Sequence, residues 1–187
     1  MRLCDKRCLI VGGTSGIGLA AAKRFLEEGA QLVIAGHDEA QGQTALDQLA
    51  GRQVHFVRCD ATVSIEVEAL GAQCITWMKG LDVLYHVAGG SGRRFGDGAL
   101  HECSDEGFRW TVDANLTSTF LTNRLAVRHF LANRQPGVIL NMASVLALAP
   151  SPGHFDTAAY AAAKERILKQ EKQPQSPGPK SSPTWVE

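Results

Sequence analysis

Long apolar runs are missing from this chain. The most apolar later segment, VILNMASVLALA at 138–149, is shorter than a membrane span and carries Asn141 and Ser144, so no transmembrane helix is expected. The N-terminus, MRLCDKRCLIVGG, lacks the extended apolar stretch of a signal peptide. Net charge is missing as well: 19 basic residues balance 19 acidic ones, which leaves no bulk attraction to nucleic acid or to an anionic membrane. The five cysteines, Cys4, Cys8, Cys59, Cys74 and Cys103, lack the paired spacing of a metal site. Free thiols in a reducing cytoplasm are the simplest reading, and no metal is expected. No internal repeat is visible. What remains is a chain of 187 residues, 44% hydrophobic and 20% charged, long enough to form one globular domain with a real core.

Short β-rich runs alternate with longer stretches of helical period, the pattern of a parallel sheet wrapped by helices. The strand candidates are KRCLIVG at 6–12, QLVIA at 31–35, QVHFVR at 53–58, LDVLYHV at 81–87 and GVILNM at 137–142. Between them, apolar stripes mark helices that need a sheet face to cover. Ile17, Ala21 and Phe25 form one stripe, and Val63, Val67, Leu70, Cys74 and Trp77 another. Leu116, Phe120, Val127 and Leu131 mark the longest helix, at about 113–133. Composition changes after residue 168. The expected organisation is a domain over 1–168 and a Pro-rich tail over 169–187, disordered or loosely attached.

Two motifs carry chemistry. VGGTSGIG at 11–18 follows an apolar strand and opens a helix, where glycines let the backbone turn tightly against a pyrophosphate held by the helix N-terminus. Its spacing is GxxxGxG rather than the commoner GxGxxG, and a glycine turn that only packs a helix on a sheet is the structural alternative. The second motif is YAAAK. Tyr160 and Lys164 stand one turn apart on one helical face, so the ammonium can favour the ionised phenol, which can then trade protons with an alcohol or carbonyl.

The glycine turn, Asp60 after the third strand, Ala88 and Gly89 after the fourth, Asn115, Ser144 and YAAAK stand in the order seen in the short-chain dehydrogenase/reductase family, which the chain resembles over about residues 6–168. The resemblance implies a Rossmann-type, doubly wound parallel α/β sheet and an NAD(P)-dependent oxidoreductase that interconverts an alcohol and a carbonyl. It implies that Gly12, Thr14, Ser15, Gly16, Ile17 and Gly18 form the pyrophosphate turn, that Asp60 contacts the adenine, and that Ala88 and Gly89 line the ribose side. Asn115, Ser144, Tyr160 and Lys164 would be the catalytic set. Ser144 would hydrogen-bond the substrate oxygen, Tyr160 would act as general acid or base, Lys164 would grip the nicotinamide ribose, and Asn115 would hold a water linking Lys164 to solvent. Taken singly, Asp60 could be a helix cap, Ser144 a loop hydroxyl and Asn115 an ordinary helix residue.

Cofactor choice turns on the end of the second strand. Gly36 stands where NAD enzymes place a carboxylate, and His37 and Asp38 follow. AGHD is similar to the glycine-then-arginine pattern that accepts a 2′-phosphate, with histidine replacing arginine, so NADP is favoured over NAD. A His37 that merely sits on a solvated turn, and an Asp38 that reaches the ribose diol, stay open as alternatives.

The chain also departs from the family pattern. His86 and Val87 replace the usual asparagines before Ala88, and His86 reads as structural. The gap from Ser144 to Tyr160 is longer than usual and includes PSPGHFDT, in which His154 reads as a solvent-facing loop residue. Beyond residue 168 the last two strands of the family sheet are not legible, so VILNM is expected to be an exposed sheet edge that invites association. The expected partners are a small-molecule alcohol or carbonyl and a second copy bound through the long helix and the Tyr/Lys helix. The alternative function is a catalytically impaired, C-terminally truncated nucleotide-binding or interaction protein. Arg93 and Arg94 could attract an acidic substrate or serve solubility alone.

Overall fold

The structure, a computed structural model, describes residues 1–49, 52–149 and 154–170, with the side chains of 169 and 170 left aside. The Pro-rich tail expected over 169–187 therefore lies outside the described residues beyond its first two positions, as do the prolines of PSPGHFDT. Five strands, β1 (Arg7–Val11), β2 (Gln31–Gly36), β3 (Val54–Arg58), β4 (Val83–His86) and β5 (Val138–Asn141), pair in parallel in the order β3-β2-β1-β4-β5. Each parallel neighbour requires a crossover, and helices supply it. They are α1 (Gly16–Glu27), α2 (Glu39–Gln48), α3 (Ser64–Met78), then α4 (Asp105–Val112) with α5 (Ser118–Ala132), and finally α6 (Ala158–Gln170) after β5.

Alternate residues of a strand face opposite sides, and here both sides are covered. Leu9, Val11, Val33, Val57 and Leu84 pack on Val67, Leu70 and Cys74 of α3 and on Leu121, Ala126 and Phe130 of α5. Cys8, Ile10, Leu32, Ile34 and Tyr85 pack on Ala22 of α1 and on Ala45 of α2. This double burial is why the strands read as unbroken apolar runs. The strand order reverses between β1 and β4, and the crevice at their carboxyl ends is where this sheet class places ligands. Among the described residues β5 is one sheet edge, opposite β3, with Val138 60% and Leu140 51% exposed. No described helix is long and apolar enough to cross a membrane.

Three helical expectations need correction. The long helical run begins at Asp105 rather than near 113, and a π turn at Asp113–Thr117 joins α4 to α5. The inward face of α5 is Ser118, Leu121, Thr122, Ala126 and Phe130, whereas Phe120 and Leu131 point outward. The physical reason is His86. Its buried ring needs hydroxyl partners on that face, so small polar residues take the place that periodicity assigns to large apolar ones. On α1, Ile17 is turned into solvent while Gly18 and Ala22 face the sheet.

Candidate active site

The glycine turn is built by close approach. Gly12 has φ +83°, and a Cβ there would lie 2.6 Å from the Ala88 nitrogen, so only glycine lets the first turn pass against the end of β4. Gly12 and Gly13 both donate to the Ala35 carbonyl, at 2.8 and 3.2 Å, tying the turn to β2. A methyl at Gly18 would run into the Gly12 carbonyl oxygen, which is how α1 comes to sit directly on the turn. Ser15 occupies the N-cap of α1 without a side-chain cap bond, and Ser15, Gly16 and Ile17 are exposed. The first-turn N–H groups and the positive end of the helix dipole are thus left for an anion, and a cradle that a Cβ would fill fits a dinucleotide pyrophosphate.

On the adenosine side, Gly36 ends β2 with its Cα against Thr14; a Cβ there would be 2.9 Å from Thr14 Oγ1. His37 is exposed beside it. Asp38 caps α2, its Oδ1 accepting from the Gln41 N–H at 2.9 Å. Asp60 Oδ1 accepts from the Thr62 N–H at 2.9 Å and from Thr62 Oγ1 at 2.7 Å, a local turn that presents the half-buried carboxylate at the carboxyl end of β3. Ala88 donates to the Val11 carbonyl at 2.9 Å, and Gly89 has φ +134° with no room for a Cβ against Asn115 Oδ1.

Asn115 lies in the π turn and is wholly buried. Its Nδ2 donates to the carbonyls of Gly90, at 2.9 Å, and Thr111, at 2.8 Å, while its Oδ1 accepts from the Gly90 N–H at 3.1 Å. The side chain therefore braces the strand exit that carries Ala88 and Gly89. Its carbonyl accepts from Thr119 Oγ1 at 2.6 Å.

Ser144 and Tyr160 line one cavity of about 400 Å³, together with Ser91, Arg93, Phe155 and Thr157. Ser144 starts a short 3-10 turn, Val145–Ala147, and its hydroxyl accepts from the Leu146 N–H at 3.2 Å. One turn behind Tyr160, Lys164 Nζ stands 5.6 Å from the phenol ring centroid and donates to the Met142 carbonyl at 2.8 Å. Lys164 is 2% exposed, and burial lowers its pKa from 10.5 to about 8. It keeps its proton at neutral pH. The structure brings Ser144, Tyr160 and Lys164 into one site; Asn115 acts on the neighbouring backbone instead of lining the cavity.

Two features were not legible in the sequence. Asp97 is 4% exposed, and its carboxylate accepts from the N–H groups of Ala159, at 3.1 Å, and Tyr160, at 3.2 Å, capping the helix that carries the phenol. Its partners are more than 60 residues away, so no local spacing announces it. The second is the seat of His86, where Nε2 is 3.2 Å from Ser118 Oγ and Nδ1 is 2.9 Å from Thr122 Oγ1. Burial first, and the charge of Lys164 second, push the imidazole down to about 3, so it is neutral. That agrees with a structural histidine. A groove of about 450 Å³ between α3 and α5 touches none of these residues and lies away from the chemistry. Among the described residues no group of three or more His, Cys, Asp or Glu is placed to hold a metal.

Comparisons with known proteins agree with this geometry. A family model described as short chain dehydrogenase matches residues 6–170. The chain is 33% identical over 168 residues to a 3-oxoacyl-(acyl-carrier-protein) reductase of Chlamydia pneumoniae, covering 89% of this chain and 64% of that protein. A short chain dehydrogenase from Mycobacterium smegmatis superposes with TM-score 0.83 at 34% identity, covering 90% of this chain and 68% of the other. An actinorhodin polyketide ketoreductase variant solved with NADPH superposes with TM-score 0.80 at 30% identity, covering 91% and 64%. The chain thus spans slightly under two thirds of the length of the curated relatives it matches.

Proposed function

The chain belongs to the short-chain dehydrogenase family, and from that premise we propose that it is an NAD(P)-dependent oxidoreductase acting on an alcohol or carbonyl, with Tyr160 as the general acid or base. The observation that carries the reading is the cavity shared by Ser144 and Tyr160, with a buried ammonium one helical turn behind the phenol. A bound nicotinamide cofactor would supply the hydride in reduction and accept it in oxidation. The chain's own groups do the rest. Ser144 donates to the substrate oxygen and holds it beside the phenol. In reduction Tyr160 gives its proton to that oxygen, and in oxidation it takes one. Lys164, buried yet kept charged at neutral pH, stabilises the phenolate left behind. Asn115 fixes the Gly89–Gly90 backbone on which the ligand rests, and Asp97 fixes the first turn of α6, so both are positioning residues.

The residues fitted to the cofactor are Gly12, Thr14, Ser15, Gly16, Ile17 and Gly18 for the pyrophosphate, Asp60 for the adenine, Ala88 and Gly89 for the ribose side, and Tyr160 with Lys164 at the nicotinamide end. NADP is favoured over NAD. Gly36 offers no carboxylate, one oxygen of Asp38 is committed to capping α2, and exposed His37 would receive the 2′-phosphate. A second copy bound through α5 and α6 is the proposed assembly, because Phe120 and Leu131 of α5 remain exposed.

The test is titration of the intact chain with NADPH and NADH, followed by an assay of carbonyl reduction in the native protein and in Tyr160→Phe. Tighter binding of NADPH and a loss of about 10²–10⁴-fold in kcat in the variant are expected. Turnover unchanged in Tyr160→Phe would sink the mechanism, and nucleotide binding without turnover in the native chain would leave a binding protein.

A further inference from the structure

We propose that the cavity selects alcohols and ketones bearing a second, anionic group, a carboxylate or a phosphate, and that Arg93 receives it; this rests on the redox reading above. Among the described residues lining the cavity with Ser144 and Tyr160, Arg93 is the only charged one. Its guanidinium is held, and no carboxylate among the described residues neutralises it. Nη2 donates to the His154 carbonyl at 3.4 Å, and Cζ lies 5.9 Å from the centroid of the Phe155 ring. Arg93 has no carboxylate within salt-bridge distance among the described residues, and unlike Arg94 and Arg124, which also have none, it lines the cavity. One of its five donors is engaged by the His154 carbonyl, and the planar fork suits a bidentate carboxylate or phosphate.

Arg93 is also placed relative to the chemistry. It opens the short 3-10 turn Arg93–Phe95, whose Phe95 ring stacks on Trp110 of α4 with centroids 4.1 Å apart. Two residues beyond Phe95, Asp97 bonds the first turn of α6 at Tyr160 itself. The loop bearing the cation is therefore tethered to the helix bearing the acid. A substrate held at its reacting oxygen by Ser144 and Tyr160 and at its anionic end by Arg93 is fixed at two points, which orients the carbon that exchanges hydride. Neighbouring Arg94 is directed elsewhere, with its Cζ 5.3 Å from the centroid of the Phe95 ring.

The experiment uses the intact chain with NADPH and matched probes: 2-oxopentanoate and 4-oxopentanoate beside their methyl esters, and dihydroxyacetone phosphate beside dihydroxyacetone. Binding is measured by calorimetry and turnover by NADPH oxidation, in the native protein, Arg93→Gln and Arg93→Lys. At least one anionic probe is expected to bind about tenfold more tightly than its neutral partner, the difference a charge-assisted hydrogen bond supplies. Arg93→Gln should abolish that ratio and Arg93→Lys should retain part of it. The pair that shows the preference identifies carboxylate or phosphate as the group. No preference for any anionic probe in the native chain, or one that survives Arg93→Gln, overturns the proposal. An Arg93-dependent preference without NADPH oxidation upholds the anion site and counts against the redox reading, while oxidation without preference does the reverse.

Discussion

Replacing Lys164 with methionine is expected to stabilise the fold while disabling the site. Lys164 is 2% exposed, and burial takes its pKa from 10.5 to about 8. A lysine held protonated in such a place costs about 3 kcal/mol at neutral pH, from the gap between its native and unfolded values. Methionine has a stem of similar length and no charge to desolvate, but it gives up the donor to the Met142 carbonyl, worth about 1 kcal/mol. The net expectation is a gain of about 2 kcal/mol near pH 7. The pH dependence follows from the direction of the shift. Between about 8 and 10.5 the native lysine has released its proton while the unfolded one keeps it, so the stability of the native protein rises with pH, by about 1.4 kcal/mol per unit. Below that window the penalty is present in full. The advantage of Lys164→Met should therefore shrink above about pH 8, be gone by about pH 9.5 and have reversed near 10.5, where only the lost hydrogen bond remains. Cys8, Cys59 and Cys74 act in the opposite sense, because burial raises each thiol from 9.0 to about 12 and stability falls as the unfolded thiols ionise. Both proteins share that loss, so the quantity to measure is their difference, by urea unfolding followed in far-UV circular dichroism from about pH 7 to about pH 10. A variant less stable than the native protein near neutrality, or a difference that stays constant across that range, would refute the reasoning.

Asp97→Ala leaves the Ala159 and Tyr160 N–H groups without their acceptor, and should cost about 2 kcal/mol in denaturant unfolding and lower kcat with little change in nucleotide affinity. An unchanged kcat would remove Asp97 from the positioning of Tyr160. Gly18→Ala puts a methyl into the Gly12 carbonyl and should weaken NADPH binding at least tenfold by pushing α1 off the turn, as read by fluorescence titration. For His86, the native imidazole stays neutral down to about 3 while the unfolded one protonates near 6.5, so stability falls by about 1.4 kcal/mol per pH unit as pH drops through that window. His86→Asn should flatten this acid limb relative to the native protein, and an identical acid unfolding midpoint would show that the buried ring does not set it.

The strands were legible because both faces of the central sheet are covered, so β1 and β2 are nearly unbroken apolar runs and β4 is broken only by His86. The glycine turn and the Tyr160/Lys164 pair were legible because their partners are local, a few residues along one turn or one helical step. The face of α5 was not. Periodicity chose Phe120 and Leu131, while the sheet side went to Ser118 and Thr122, because the nearby residue that needs them is His86, over 30 residues away. Asp60 was read as an adenine contact with a cap as the alternative, and its bonds to Thr62 show one carboxylate oxygen committed to the local turn.

By itself the sequence determined the alternation of strands and helices, the family, and the placing of Tyr160 and Lys164 one helical turn apart, since these depend on composition, period and short spacing. Only the tertiary structure decided that Asn115 braces Gly90, that Asp97 caps the Tyr160 helix, and that Arg93 shares a cavity with Ser144 and Tyr160. Those contacts join residues 25 or more positions apart across loops without a repeating pattern, where burial and hydrogen bonding, rather than propensity, choose the partner.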